Sequence, residues 1–241
     1  MHDSRDISQL LSDWEFEVGK IGVRLVSLGE TDVIQMRVEM GILQMQTTGR
    51  PDGHRPAGMD TYLDALIAEK VAHGSDWELD AEHCIEVDRE FMQFYQRRIS
   101  WLQLKQYPNV IRDADHTLAL MDFCKTHAPV EGWGVTHEQY RPFVLFHRTQ
   151  ADALDALDTA TAEVAIQRIN SGLRKIQAVF TEHEIEEHFE DDELVQQLRE
   201  TRESLREEYD VGLTLNEQLE KAIADEQYER AAELRDQIES A

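Results

Sequence analysis

From Asp80 to Phe180 the apolar residues recur three and four positions apart, and only prolines or a glycine-bearing break interrupt them. That spacing is the mark of amphipathic helices. Ile85, Phe91, Phe94, Tyr95, Ile99, Trp101 and Leu102 form a broad stripe on a first long helix over 80–106. Pro108 suits the first turn of the next helix, where the backbone N–H groups are unpaired in any case. That helix carries Val110, Ile111, Ala114, Leu118, Leu120, Met121 and Phe123 and stops before Pro129. The stretch 129–136, with Gly132 and Gly134, reads as a loop. A third helix is predicted over 137–157, with Pro142 tolerated near its start, and a fourth over 162–180. Two successive helical hairpins result. With 12 Gly and 5 Pro in 241 residues, the chain is too poor in turn residues for an all-β fold.

Ahead of the helices the pattern differs. The first 13 residues are polar and predicted to be loose. Ile34-Gln-Met-Arg-Val38 alternates with period two, and a second run, Ile42-Leu-Gln-Met-Gln46, follows Gly41. An antiparallel β-hairpin is the natural reading, with a short helix through the same residues as the alternative. Gly49-Arg-Pro-Asp-Gly-His-Arg-Pro-Ala-Gly58 then enforces a loop. Within it Pro51 presets φ and Gly53 accepts a positive φ. A helix over 59–73 should follow, with Tyr62, Leu63, Leu66, Ile67 and Val71 on one face.

Charge limits the partners. Forty-nine acidic residues against 24 basic ones leave a net charge of −25, and no run of Lys or Arg is present. Affinity for nucleic acid comes largely from cations neutralising phosphates, so direct nucleic-acid binding is disfavoured. Anionic membrane surfaces are disfavoured for the same reason, whereas basic proteins fit. Cys84 and Cys124 stand 40 residues apart, outside any CxxC, and read as reduced, partly buried thiols. The segment 1–11 lacks the apolar run of a signal peptide, and no stretch approaches a membrane helix. A soluble cytoplasmic protein is expected.

The segment 181–210 is acidic first and mixed in sign later, with only Ile185, Phe189, Leu194, Leu198 and Leu205 as a thin apolar stripe. A solvated helix or the stem of a coiled coil is predicted. Val211-Gly-Leu-Thr214 interrupts it. Thr214 can N-cap a helix from Leu215 that places Leu215, Leu219, Ala222 and Ile223 on one face. After a break at Asp225–Gln227, a second helix is expected to turn Tyr228, Ala231, Ala232, Leu234 and Ile238 inward, with Arg235 and Asp236 beside the stripe. Such a hairpin buries too little to stand alone.

These closing residues resemble the UVR family, whose hallmark is an Ala, a short acidic turn, an aromatic residue and then Ala-Ala-x-Leu-Arg-Asp-x-Ile. Here those positions are Ala222, Asp225, Glu226, Tyr228, Ala231, Ala232, Leu234, Arg235, Asp236 and Ile238. Tyr228 departs from the more usual Phe. The resemblance implies a protein-interaction element: the motif joins UvrB to UvrC and also occurs in a chaperone–protease adaptor family and in Clp ATPases. It does not by itself imply DNA repair. The ATP-binding loop of UvrB, a UvrC-type nuclease domain and the zinc-binding CxxC pairs of the adaptor family have no counterpart in the sequence. The stretch from Gln35 through the 49–58 loop also resembles that of bacterial proteins named for their UVR motif.

A second resemblance is to tetratricopeptide (TPR) repeats. Phe94, Trp101, Tyr107, Val110, Ala114, Thr117 and Leu118 fit one repeat; Ala165, Ile169, Gly172 and Leu173 fit a second more weakly. Arg97-Arg98 replaces the usual Leu-Gly, and a plain helical bundle remains the alternative. Arg97-Arg98, near Lys105, reads as surface arginines paired with neighbouring acids, or else as a site for an anionic group. His183 and His188 are five apart, about 140° round a helix, so they do not share a face as zincin ligands do; a solvated charge run is the simpler reading. The 49–58 loop lacks the Gly-Lys-Ser/Thr ending of a phosphate loop. It reads first as a structural turn, and as the alternative a binding loop using Arg50, Asp52, His54 and Arg55.

The expected fold is mainly α. TPR-like helical hairpins follow a small N-terminal β-hairpin/helix element and precede a C-terminal UVR helical hairpin. The expected divisions are an N-terminal element over 1–79, a helical body over 80–180, an acidic connecting helix over 181–210 and the UVR motif over 211–241. The expected function is a non-catalytic adaptor whose hairpin binds a protein partner or forms a homodimer through Leu215, Leu219, Ile223, Tyr228, Ala231, Ala232, Leu234, Arg235, Asp236 and Ile238. No catalytic residue, metal or cofactor is expected. Two alternatives stay open: an excision-repair-associated factor contacting Uvr proteins, and a small-ligand or enzymatic protein using the 49–58 loop.

Overall fold

Period-two alternation builds a sheet at the N-terminal end. The computed structural model describes residues 6–74, 76–129 and 133–239. After a short helix α1 (Ser8–Asp13) come three antiparallel strands in sequential order, β1 (Gly22–Leu28), β2 (Thr31–Val38) and β3 (Gly41–Gln46). The expected hairpin is the β2–β3 pair, in the register Ile34 to Met45 and Met36 to Leu43. The strand β1, in the register Leu25 to Ile34, was not legible as a separate element. Its faces are only half buried, so its alternation is weak. Ile34, Met36 and Met45 are buried. The indole of Trp14 lies over Arg24, and Arg37 donates to the Trp14 carbonyl at 2.7 Å, which seals the open end of the sheet.

The helix α2 (Tyr62–His73) starts three residues later than the sequence suggests, because Thr61 and Asp64 form a capping box. Only Leu63 and Leu66 of its predicted face are buried; Ile67 and Val71 are exposed, since they lie round the helix from the contact with the next one. The helices α3 (Ala81–Gln103) and α4 (Tyr107–His127) form the first long hairpin. Asp80 caps α3 by accepting from the N–H groups of Glu82 and His83, and Pro108 sits in the first turn of α4. Leu63, Leu66, Leu79, Val87, Leu120 and Cys124 make a core between α2, α3 and α4. Burial pushes the Cys124 thiol up to about 12, so it stays a protonated thiol at neutral pH.

The predicted third helix is two: α5 (Trp133–Glu138) and α6 (Arg141–Thr159). Proline cannot continue a helix from the preceding turn but fits the first turn of a new one, and Pro142 is the second residue of α6. Of the predicted loop 129–136, residues 130–132 with Gly132 lie outside the described residues. The helix α7 (Ala162–Glu182) follows, N-capped by Thr161.

The segment expected as one solvated helix is divided. A single 3-10 turn at Glu186–His188 precedes α8 (Glu193–Tyr209), which Asp192 caps. The helix α8 is not solvated all round: Val195, Leu198 and Leu205 are buried, and it packs along α7. Phe189 is buried with its ring edge-on to Phe180 at 5.6 Å. The chain closes with α9 (Leu215–Ala224) and α10 (Tyr228–Glu239).

The chain divides into two compact units, 1–147 and 148–241. The N-terminal element therefore shares a unit with α3 and α4, and the acidic segment shares one with the closing hairpin. Among the described residues no helix is long and apolar enough to cross a membrane.

In the second unit α6 and α7 approach so closely at Gly172 that a Cβ there would lie 2.0 Å from the Thr149 hydroxyl oxygen. Both Gly172 and Thr149 are buried. Gly172→Ala should destabilise the unit by about 1–3 kcal/mol through overpacking, and Thr149→Ala should recover part of that loss. Chemical denaturation of the single and double variants checks both.

Candidate functional site

Two places in the fold hold the residues that the sequence singles out. The first is the closing hairpin. Thr214, itself buried, starts α9 with a capping box: its hydroxyl accepts from the Glu217 N–H at 3.3 Å, and the Glu217 carboxylate accepts from the Thr214 N–H at 2.8 Å. Ala222, Ala231 and Leu234 are buried between α9 and α10, with Leu215 and Leu219 packed against them. A small-residue seam of this kind lets the two helices come close.

The helix period decides what is left outside. Ile223 follows Ala222 by about 100° round α9, and Ala232 follows Ala231 by the same angle round α10. Both are exposed, as are Arg235 and Asp236, while Ile238 is half buried. Tyr228, expected to fold inward over the turn, is 68% exposed, and Ile223 is 47% exposed. The inward placing of Tyr228 and Ala232, and the grouping of Ile223 on one face with Leu215, Leu219 and Ala222, are thus corrected. These three lie outside the seam, with Ile223 and Tyr228 flanking the turn at Asp225–Gln227.

The hairpin is also tied to the rest of its unit by charge. Arg206 contacts the Glu217 carboxylate, and Arg202 lies 3.7 Å from it while donating to the Asn170 side-chain carbonyl at 2.9 Å. Burial pushes the Glu217 carboxyl up, but the N–H of Thr214, the Asn170 amide, the Thr214 hydroxyl and Arg206 together hold it below the ordinary carboxylate value. Sequence reading missed this anchor, although Thr214-x-x-Glu217 carries the capping-box pattern that could have signalled it.

The second place is the 49–58 loop. Pro51 and Gly53 turn as expected: the Gly53 N–H donates to the Arg50 carbonyl at 2.9 Å, and Gly53 has φ +77°. Arg50, Asp52, His54 and Arg55 do not converge on one point. Arg50 is buried and reaches Glu86 at 2.8 Å, whereas Asp52 accepts from the His54 N–H and from Gln93. Arg55 is exposed and pairs with exposed Asp60 at 2.7 Å.

Behind the loop lie buried charges that the sequence did not reveal. The surface reading of Arg97 and Arg98 is overturned, because their side chains are 1% and 2% exposed. Arg97 pairs with buried Asp113 at 2.6 Å and donates to the carbonyls of Gln46 and Gly49. Arg112 donates to the Thr47 carbonyl. Glu90, fully buried, accepts from the N–H groups of Tyr62 and Leu63 and pairs with His116 at 2.9 Å. Arg98 donates to Thr117 at 3.0 Å and lies 3.4 Å from the His147 ring nitrogen. Burial, with the Arg98 charge adding to it, pushes His147 down to about 4, so it is neutral at pH 7.

The remaining motifs give no site. His183 and His188 are exposed beyond the end of α7. Among the described residues no group of three or more His, Cys, Asp or Glu side chains could hold a metal ion.

Comparison with known proteins bears on the first of the two places. Residues 214–241 match the family described as the UvrB/uvrC motif, UVR. The match covers the closing hairpin, which is therefore a UVR motif, one associated with DNA-repair proteins and with protein and DNA interactions. No curated protein and no solved structure matches the chain.

Two outcomes follow for the buried charges. Arg97→Met leaves buried Asp113 with half-exposed Arg112 as its remaining cation, its Oδ2 without a donor, and frees the Gln46 and Gly49 carbonyls. It should cost about 2–3 kcal/mol, less than for a wholly uncompensated charge because Arg112 stays on Asp113, and speed hydrogen exchange over residues 46–60. Adding Asp113→Leu should return part of the stability, but not the loop protection. For His147, the folded-state pKa lies below the unfolded one, so its contribution is present above about pH 6.5. It is lost as pH falls through about 4. His147→Gln should flatten that part of the stability profile, measured by denaturation at stepped pH.

Proposed function

We propose that the chain is a non-catalytic adaptor that binds a protein through the outer face of its UVR hairpin. One observation carries this reading: the hairpin closes on Ala222, Ala231 and Leu234 yet holds Ile223 and Tyr228 in solvent. A large aromatic ring and an aliphatic side chain exposed at the two ends of one short turn suit a docking patch. Arg235 and Asp236, exposed on the same helix, would set register with the partner. The helical hairpins of the body would act as a TPR-like scaffold in the cytoplasm. A protein partner is favoured over DNA by charge, because the matched segment 214–241 carries three basic residues against eight acidic ones.

The test is Ile223→Ser with Tyr228→Ser in the full chain. Both residues are exposed, so circular dichroism and melting temperature should stay unchanged. Size-exclusion chromatography with light scattering then separates two forms of the reading: a dimer that becomes a monomer makes the hairpin a self-association device. A monomer in both cases directs the patch to another protein, captured by the native chain and lost by the variant. Capture of UvrA, UvrB or UvrC in that experiment would select the repair-associated form. A dimer or a capture profile that the two substitutions leave intact overturns the proposal.

A further inference from the structure

The strand β1 ends the sheet on one side, and its outer edge is unguarded. The strand order is β1-β2-β3, and among the described residues β1 pairs with β2 alone. That pairing runs one to one from Gly22 opposite Arg37 to Leu28 opposite Thr31, without a bulge. The strand holds neither proline nor lysine. Proteins ordinarily block an exposed edge with one of these devices, because its free N–H and C=O groups are a template for another strand. The other edge strand, β3, is engaged at Gln46, whose N–H donates to the Pro51 carbonyl and whose carbonyl accepts from Arg97.

The hairpin turn fixes which backbone groups face outward. Gly29, with φ +68°, and Glu30 join β1 to β2, so Leu28 and Thr31 close a tight two-residue turn as a hydrogen-bonded pair. Bonded pairs recur at every second position of an antiparallel ladder. The N–H and C=O groups of Gly22, Arg24 and Val26 therefore turn toward β2, and those of Val23, Leu25 and Ser27 turn away from it. The side chains along this edge are largely apolar. Leu25, beside buried Ile34, is 47% exposed and Leu28 49%, while Val23 and Val26 are half buried. Arg24 is the one charge of the strand, and it is engaged by Gln35 and the Trp14 ring.

Charge decides what fits this edge. The chain carries −25, yet β1 holds no acid; Lys20 stands two residues before it and Glu30 two residues after it. An antiparallel strand that complements it reads base, apolar run, acid from its N-terminus to its C-terminus, and β1 itself reads in that order. With Leu25 set against Leu25 of a second copy, Val23 meets Ser27, and every outward-facing residue falls in a bonded pair. Each exposed Lys20 then comes toward the exposed Glu30 of the other copy. The pair that Lys20 makes with Glu17 is itself exposed and weak. We infer that the β1 edges of two copies pair antiparallel about Leu25 and join their sheets into one. Three bonded pairs supply about six backbone hydrogen bonds. So small a contact belongs to the transient class: it forms in concentrated solution and is lost at the dilution of gel filtration. It stands apart from the hairpin patch, and either can fail without the other.

The experiment follows sedimentation and amide hydrogen exchange of the full chain from about 10 µM to about 1 mM, the range of a weak contact. The same series is run on the Ile223→Ser/Tyr228→Ser chain, so that association through the hairpin is removed. In both, the sedimenting mass should rise with concentration. The N–H groups of Val23, Leu25 and Ser27 should gain protection over the same range, and those of Arg24 and Val26, already bonded to β2, should not. Leu25→Lys sets two cations against each other and should weaken the pairing about tenfold, as should Leu25→Glu with two anions. An equal mixture of the two variants should restore it, a gain that misfolding cannot mimic. The inference is overturned by a hairpin variant that stays monomeric at the highest concentration, or by protection gained without those three amides. Pairing that Leu25→Lys leaves intact, or that the mixture fails to restore, overturns it as well.

Discussion

The buried pair of Arg97 and Asp113 is the interaction on which the N-terminal unit depends. Two charges away from water are tolerable only when each is matched and its remaining polar groups are occupied. Arg97 meets both conditions by spending one nitrogen on the carbonyls of Gln46 and Gly49 while the others hold Asp113. The end of β3 and the start of the glycine-rich loop are thereby held against α3 and α4. Glu90 does the same about two turns earlier in α3, taking the first N–H groups of α2 and the ring of His116. The sheet, the loop and three helices thus become one unit through side chains that a hydropathy reading would place in solvent.

The second unit is built on closeness. Bare Gly172 lets α6 and α7 meet over Thr149, and the alanines at 222 and 231 let α9 and α10 do the same. The seam of the closing hairpin is small, so a tie to the rest of its unit supports it. Glu217 supplies it, caught between its own N-cap and two arginines of α8. One carboxylate therefore starts a helix and anchors it. Ile223 and Tyr228 stay exposed on either side of the hairpin's turn.

The functional reading follows from that division of faces. The UVR hairpin fills its inner seam with its own residues and leaves Tyr228 in solvent, and on that the proposed docking role rests.

Most of the helices and the hairpin strands were legible because they rest on local periodicity and on turn chemistry: Pro108, Gly53 and Thr214 act within a few residues of themselves. The UVR motif was legible for the same reason, since a short run of positions carries it. The tertiary structure alone decided which side of each element faces inward. It turned Tyr228 and Ile67 out and took Arg97, Arg98 and Glu90 in, because burial depends on partners distant in the chain, such as Asp113, the Gln46 carbonyl and His147. It also added the half-buried β1 strand to the sheet and divided the acidic segment at Glu186–His188. Periodicity reports that a face exists; only the packing of remote segments supplies what that face meets, and a charged side chain is buried or solvated according to whether that meeting provides its counter-charge.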